Sequence, residues 1–375
     1  MTSMHHIEMH GWLCYSMTMK IKANIKKSSI SRSVTAVLFF VFIWFAAITP
    51  ANAAVFKKSV NVMGTDLEVT VRAQTDAEAS AAFYAVQAEM ARIENEMSEW
   101  IEGSPVSAIN VNAGIRPVPV PDELFKVIAA SITVSEVSGG AFDISWAAMR
   151  GLWDFRKERV PTDAEINQKL MLVNYKNIEI DTVKRTVFLK KTGMAIGLGG
   201  IAKGYAVDMA MKAVTKLGIK NAIIRAGGDM RIQGVDESGQ PWNIGIKSPR
   251  NKEKFIAEMP LTNISVSTSG DYERFFIKDN VMYHHIINPK TGQPARGAQS
   301  VTIIAPDTMT SDALSTAVFV LGPDAGLKLV EKLKGVAAVV VDDKGVVRYS
   351  SGFIRKSGLP DRPLPTDKSK KLRLD

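Results

Sequence analysis

Thiols are almost missing from this chain of 375 residues; its one cysteine is Cys14. An apolar run follows it, so everything beyond residue 53 is free of thiols. That excludes a cysteine nucleophile, a thiolate metal centre and a disulfide from the bulk of the protein. Histidine is nearly as scarce. Of the five present, His5, His6 and His10 lie before the apolar run, which leaves only the adjacent pair His284 and His285. Neighbours on a strand point to opposite faces, so the two make a poor metal pair. The chain also lacks a Walker A loop, an internal repeat of solenoid type and any RNA- or DNA-reading motif. Nucleic acid is therefore not an expected partner, although the net charge is +9.

Part of that charge belongs to the N-terminus. Lys20, Lys22, Lys26, Lys27 and Arg32 face a single acid, Glu8, and precede an apolar run over residues 34–48. Pro50 and then Ala51-Asn52-Ala53 follow. Basic, apolar and small-residue regions in that order predict an export signal over residues 1–53, cleaved after Ala53. The run is short for a membrane span of ~20 residues, so an uncleaved anchor is the lesser alternative. No cysteine follows it, which gives no support to lipid attachment. Met17 and Met19 are alternative starts. The expected location is the periplasm or the periplasmic face of the inner membrane, with transient membrane association open. Residues 355–375 are rich in Pro, Lys and Asp and read as a disordered basic tail.

Between them, residues 54–354 read as one globular domain. Residues 59–72 alternate Val60, Val62, Leu67, Val69 and Val71, a half-buried strand with a bend at Gly64. Thr75 and Glu78 stand at capping-box spacing before a helix whose apolar face is Phe83, Val86, Met90, Ile93 and Met97. Further helices are expected over 122–137, 162–170, 203–217, from Ser311, and over 325–333. Strands are expected over 178–180, 186–189, 222–225, 242–246, 264–267, 275–277 and 301–305, with a last hairpin at 342–345. Strands and helices mix without regular alternation, which predicts α+β with mixed or antiparallel sheets.

Several short segments could carry chemistry. Asp312-Ala313-Leu314-Ser315-Thr316 sets a carboxylate and a hydroxyl four apart on one helix face, two oxygen ligands suited to Mg²⁺; a helix cap is the commoner use of such an Asp. Gly197-Leu198-Gly199-Gly200-Ile201-Ala202-Lys203-Gly204 joins a glycine loop to a helix start, with Lys203 as a point charge for a phosphate; a packing turn is the plainer reading. Gly227-Gly228-Asp229 and Ser267-Thr268-Ser269-Gly270-Asp271, with Arg274 behind, end strands and could bind a ligand or be turns. His285 could be a general base or a packed strand histidine. Trp100 could stack on an aromatic ligand or pack, and Asp143 could cap or bind.

Taken in order, Met63-Gly64-Thr65, Met97-Ser98-Glu99-Trp100, Gly140-Ala141-Phe142-Asp143, Gly199–Asp208, Gly227-Gly228-Asp229, Ser267–Arg274, His285-Ile286-Ile287-Asn288-Pro289 and Asp312–Ala317 resemble the ApbE family, FAD:protein FMN transferases. The resemblance covers nearly everything after the leader. It implies tunnel-fold-like halves around a flavin cleft, and Mg²⁺-dependent transfer of FMN from FAD to a Thr or Ser hydroxyl of a partner protein, with AMP released. It implies that Asp312, Thr316 and a carbonyl near Gly200 hold the metal, that Lys203 touches the diphosphate, and that His285 and Asp312 are catalytic. Met63, Gly64, Thr65, Trp100, Asp143, Gly228, Asp229, Ser269, Gly270 and Arg274 would line the FAD site. The implied acceptors are exported flavoprotein subunits of membrane redox complexes. Hydrolysis of FAD to FMN and AMP, and flavin binding without turnover, are the alternatives. Two departures stand out: Asp is frequent in the family where this chain has Gly197, and commoner than Asn at 288.

Overall fold

The computed structural model describes residues 53–251 and 253–353. The predicted leader and basic tail lie outside the described residues.

The chain enters through β1 (Ala54–Val62) and β2 (Thr65–Ala73), which pair antiparallel in the register Val60↔Leu67 and Val62↔Thr65. The expected single strand with a bend is thus a hairpin. Met63 and Gly64 both have positive φ, 52° and 68°, the backbone that a two-residue hairpin turn requires and that its twist favours. The alternation carried straight through the turn, which is why pattern alone did not break it.

Helix α1 (Asp76–Met97) follows. Its Thr75 cap accepts from the Glu78 N–H, but the Glu78 side chain returns to the Gln74 N–H at 2.8 Å, one residue outside the reciprocal box. Next come α2 (Pro105–Val111), β3 (Val118–Pro119), α3 (Asp122–Val137) and α4 (Asp163–Leu170). Helix α2 is a miss of the sequence reading, although Ser104 caps it and Pro105 opens it, a known start signal. β4 (Ile178–Asp181) and β5 (Thr186–Leu189) form a small sheet with β3. Helix α5 (Ala202–Lys216) then leads to β6 (Ala222–Ala226) and β7 (Asp229–Gln233). β8 (Trp242–Lys247) and β9 (Phe255–Leu261) make a separate hairpin. β10 (Ile264–Gly270) precedes a second hairpin, β11 (Phe275–Lys278) and β12 (Val281–His284). β13 (Ala298–Ala305), α6 (Thr308–Val330), β14 (Ala337–Asp342) and β15 (Val347–Tyr349) complete it.

The architecture is α+β, as expected. Eight strands form one sheet in the order β1-β2-β6-β7-β10-β13-β14-β15, antiparallel at every junction. Both faces are covered. On one, α1 and α5 bury Val86, Met90 and Ile93 with Val207, Ala210 and Val214 against Leu67, Val69 and Ile224. Further along, α6 sets Leu314, Val318 and Phe319 on Val301 and Ile303. On the other face the β8–β9 hairpin places Ile244, Ile246, Met259 and Leu261 over Ile232, Val266 and Ile304. β13 is accordingly buried along almost its whole length.

Helix α6 merges two expected helices. Gly322 (φ 75°, ψ 176°) and Pro323 break it, since proline cannot donate to the preceding turn. It is the one helix among the described residues long and apolar enough to cross a membrane, but 67% of its most apolar window is buried inside the protein, as befits a core helix. It starts three residues before Ser311 because two acids hold its N-terminus. Asp307 accepts from the Thr310 N–H at 2.8 Å. Asp208, reaching across from α5, accepts from the Thr308 N–H, the Met309 N–H and the Thr308 hydroxyl at 2.9, 2.9 and 2.7 Å. A carboxylate at a helix start also meets the positive end of the helix dipole.

Close approach of the two helices needs glycine: a Cβ on Gly204 would lie 2.3 Å from the Thr308 carbonyl oxygen. Asp208→Ala should therefore lower stability by about 2 kcal/mol, through loss of a cap and of charge-assisted bonds. Urea unfolding would show it, and an unchanged midpoint would refute the role.

Candidate active site

The sheet and the two helices bring the scattered motifs to one place. Lys203, in the first turn of α5, projects between two buried carboxylates. Its Nζ lies 3.2 Å from Asp229 Oδ2 at the start of β7 and 3.5 Å from Asp312 Oδ2 on α6. It also donates to the Gly199 carbonyl at 2.8 Å. Asp312 accepts in addition from the Gly204 N–H at 3.0 Å. Burial, and then repulsion from Asp229, push the Asp312 carboxyl up to about 7 against the pull of Lys203. Burial by itself would lower the Lys203 ammonium, but Asp229 and Asp312 outweigh it and hold the group above its ordinary range.

Helix α6 is set against β10 by a seam of hydroxyls. Ser265 meets Thr308 at 2.8 Å, Ser267 meets Ser311 at 2.7 Å and Ser269 meets Ser315 at 2.8 Å. Residues two apart on a strand share a face, as do residues three or four apart on a helix, so both sides present a continuous row. Thr316 lies at the end of this row, its Oγ1 3.5 Å from Ser269 Oγ. Gly200 faces it: a Cβ there would sit 3.4 Å from Thr316 Oγ1 and 3.3 Å from the Phe142 ring. Asp312, Thr316 and the Gly200 segment therefore share one corner.

That corner offers a carboxylate and a hydroxyl, which together with a carbonyl of the Gly200 segment would make an all-oxygen set that fits a hard cation such as Mg²⁺. No group of three or more His, Cys, Asp or Glu positioned to hold a metal occurs among the described residues. An ion here would depend on substrate oxygens and water to fill its shell, which is ordinary for Mg²⁺.

The other glycine motifs close around the same corner. Gly227 has φ 58°, and its Cβ would be 2.6 Å from Thr65 Oγ1. A Cβ on Gly228 would meet the Thr268 carbonyl oxygen at 2.3 Å, while the Thr268 N–H donates to Gly228 at 3.0 Å. Met63-Gly64-Thr65 thus adjoins Gly227-Gly228-Asp229, and Arg274 donates to the Gly64 carbonyl at 3.1 Å. Gly270 ends β10 with the Tyr272 ring over it.

The two histidines diverge at the end of β12, which His284 closes, leaving His285 in the bend beyond it. His284 is structural: its Nε2 pairs with the Ala295 carbonyl at 2.8 Å, its Nδ1 accepts from the Ile286 N–H, and its ring meets Phe319 edge-on. His285 Nδ1 is buried without a hydrogen-bond partner, a state that native proteins reserve for few groups. Burial, then the charges of His284, Arg274 and Lys203, lower its pKa to about 4.

Two of the expected ligand residues have partners within the chain. The Asp143 carboxylate accepts from the Ser145 N–H and hydroxyl at 2.8 and 2.6 Å and from the Tyr175 N–H at 2.8 Å, so it caps a short helical turn. Trp100 is 71% exposed, and the Arg150 guanidinium stacks over its ring at 4.7 Å. Sequence reasoning missed Asp208, Ser311, Ser315 and Glu99 as contributors. The hydroxyls at 265, 267 and 269 were a readable signal, since alternate serines on a strand otherwise face water or waste a core. A separate cavity of about 380 Å³ lies along α5, lined in part by Tyr205, Lys212 and Arg231. Its acids, Asp208 and Asp307, already accept backbone donors, and neither of the buried polar atoms without a partner, on Arg72 and His285, belongs to its lining.

The family profile described as the ApbE family matches residues 63–340. A Haemophilus influenzae protein named FAD:protein FMN transferase is 32% identical over 282 residues, 72% of this chain and 82% of that one. A Treponema pallidum protein of the same name is 32% identical over 322 residues, covering 81% and 89%. The crystal structure of the ApbE protein from Thermotoga maritima superposes with a TM-score of 0.75 at 36% identity, covering 81% of this chain and 99% of that one.

The low pKa of His285 has a measurable consequence. Between about 6.5 and 4 the unfolded chain takes a proton at this position and the folded one does not, so stability falls as pH drops through that window. The slope for one proton is about 1.4 kcal/mol per pH unit. Urea unfolding of the wild type and of His285→Gln, from pH 7 to pH 4.5, should show the variant losing less. Parallel curves would mean that His285 titrates normally.

Proposed function

The chain belongs to the ApbE family, and on that premise we propose that it transfers FMN from FAD to a Ser or Thr hydroxyl of an acceptor protein. The observation that carries the reading is the Asp229–Lys203–Asp312 cluster, opening beside the Gly200–Thr316 corner. The reaction forms one phosphorus–oxygen bond to the acceptor hydroxyl and breaks the one to the adenylate; AMP leaves and the hydroxyl proton must be removed. Such phosphoryl transfer depends on positioning and charge rather than on a protein nucleophile. This agrees with a chain that carries no thiol beyond residue 53.

Each part of the site has a task in that chemistry. Asp312, Thr316 and the Gly200 carbonyl would hold Mg²⁺, which when bound offsets the negative charge of diphosphate oxygens. Lys203 supplies a fixed ammonium for the same oxygens, and its two carboxylate neighbours keep it charged. His285 presents a neutral ring nitrogen with no internal partner, suited to accept the hydroxyl proton. Arg274, Gly228, Ser269 and the Met63–Thr65 turn bound the flavin nucleotide. An exported enzyme of this kind, in the periplasm or at its membrane face, would act on flavoprotein subunits of membrane redox complexes.

Incubation with FAD, Mg²⁺ and a purified acceptor domain tests the reading by the mass of the acceptor. A gain of one FMN is expected. Free FMN and AMP with an unmodified acceptor would point to FAD hydrolysis instead, and intact bound FAD to simple binding. Asp312→Ala should abolish transfer, by at least a thousandfold, while the protein stays folded by circular dichroism. His285→Ala should lower kcat with little change in FAD affinity; a variant that merely binds FAD less well would remove His285 from the chemistry.

A further inference from the structure

We propose that Glu99 is the positioning residue of the glycine loop, its carboxylate filling the space left by the absent side chain of Gly197 and fixing the path of residues 197–200. Its consequence for turnover rests on the transferase reading above; its geometry does not.

Glu99 stands two residues beyond the end of α1, and its backbone is held from two sides. Arg150 Nη1 donates to its carbonyl at 3.1 Å and the Ser107 hydroxyl at 3.4 Å. The Arg150 guanidinium is itself braced on the Trp100 ring. From this fixed base the side chain reaches under the loop. Its Oε1 lies 2.7 Å from where a Cβ on Gly197 would stand, and the Ala147 Cβ lies 3.0 Å from the same point. No larger residue fits at 197 while Glu99 keeps its place. Gly197 has no positive φ, so what crowds a side chain there is the Glu99 carboxylate and the Ala147 methyl, not the backbone.

The loop passes this constraint on to the site. The Gly197 N–H donates to the Ile144 carbonyl at 2.9 Å. Two residues on, the Gly199 carbonyl accepts from Lys203, and Gly200 abuts Thr316. Burial raises the pKa of this carboxyl, against the pull of its own and the Leu198 amide and of the Arg150 charge. A polar group thus lies beneath a loop that apolar packing alone would not need it for.

The test compares Glu99→Ala, Glu99→Gln, Gly197→Asp and the double variant Glu99→Ala/Gly197→Asp. Hydrogen exchange of the metal-free protein over residues 197–201, a Mg²⁺ titration of FMN transfer, and thermal unfolding are read for each. Glu99→Ala should speed loop exchange about tenfold and raise the half-saturating Mg²⁺ concentration by about 10- to 100-fold, the usual effect of losing a support behind a metal ligand. Its melting temperature should stay near that of the wild type. The double variant should recover most of both losses, because Asp at 197 returns a carboxylate to the gap, whereas Gly197→Asp alone crowds two there and should do worse. If Glu99→Ala does not fold, Glu99→Ser, which also vacates the gap, carries the same comparison, whereas Glu99→Gln, which fills it, should leave loop exchange near that of the wild type. Unchanged loop exchange in Glu99→Ala, or a double variant no better than the single, overturns the proposal. An inactive wild type would instead count against the transferase reading, and the exchange data would still decide the role of Glu99.

Discussion

One ammonium group between two buried carboxylates organises this protein. Without Lys203, Asp229 and Asp312 would face each other in a poorly solvated pocket, and like charges there repel strongly. With it, three separate elements are joined: the first turn of α5, the first residue of β7 and the second turn of α6. With both carboxylates ionised the arrangement carries a formal excess of one negative charge; on the proposed reading that excess would receive the cation, and the ammonium the phosphate.

The surroundings serve to hold that cluster still. Glycine lets backbones come close where side chains would not, at Gly204 against Thr308 and at Gly228 against Thr268. Asp208 fastens the N-terminus of α6 four residues before Asp312. The Arg250 guanidinium clamps Asp271 at 2.7 and 2.6 Å just past β10. Gly204, Asp208, Arg250 and Asp271 do this without having to touch a substrate. They remove the rotations that would otherwise have to be frozen on each turnover, which is where much of the benefit of a built site lies.

Much of this was legible in the sequence, and the rest was not for identifiable reasons. Helices with caps and stops declared themselves: α3 spans the expected 122–137 and the Thr162–Glu165 box is formed as read. β9 and β7 escape the pattern because Glu258 and Pro260 interrupt one and the other holds only two apolar residues, Met230 and Ile232. The residue types of the site could be named because glycine, lysine and aspartate recur in short runs. What no spacing could reveal is that Asp143 spends its oxygens on Ser145 and Tyr175, or that Glu99 meets Gly197. Both facts depend on contacts between segments remote in sequence, or on the direction of a single side chain.

The row of paired hydroxyls between β10 and α6 limits how this protein can change over time. In each of the three rungs one oxygen serves as partner to the other, so an aliphatic side chain on either side orphans the buried hydroxyl opposite. The usable alphabet at those six positions shrinks to serine and threonine. A lineage could therefore redecorate the outer hairpins freely, while this interface would drift only in steps of one methyl at a time.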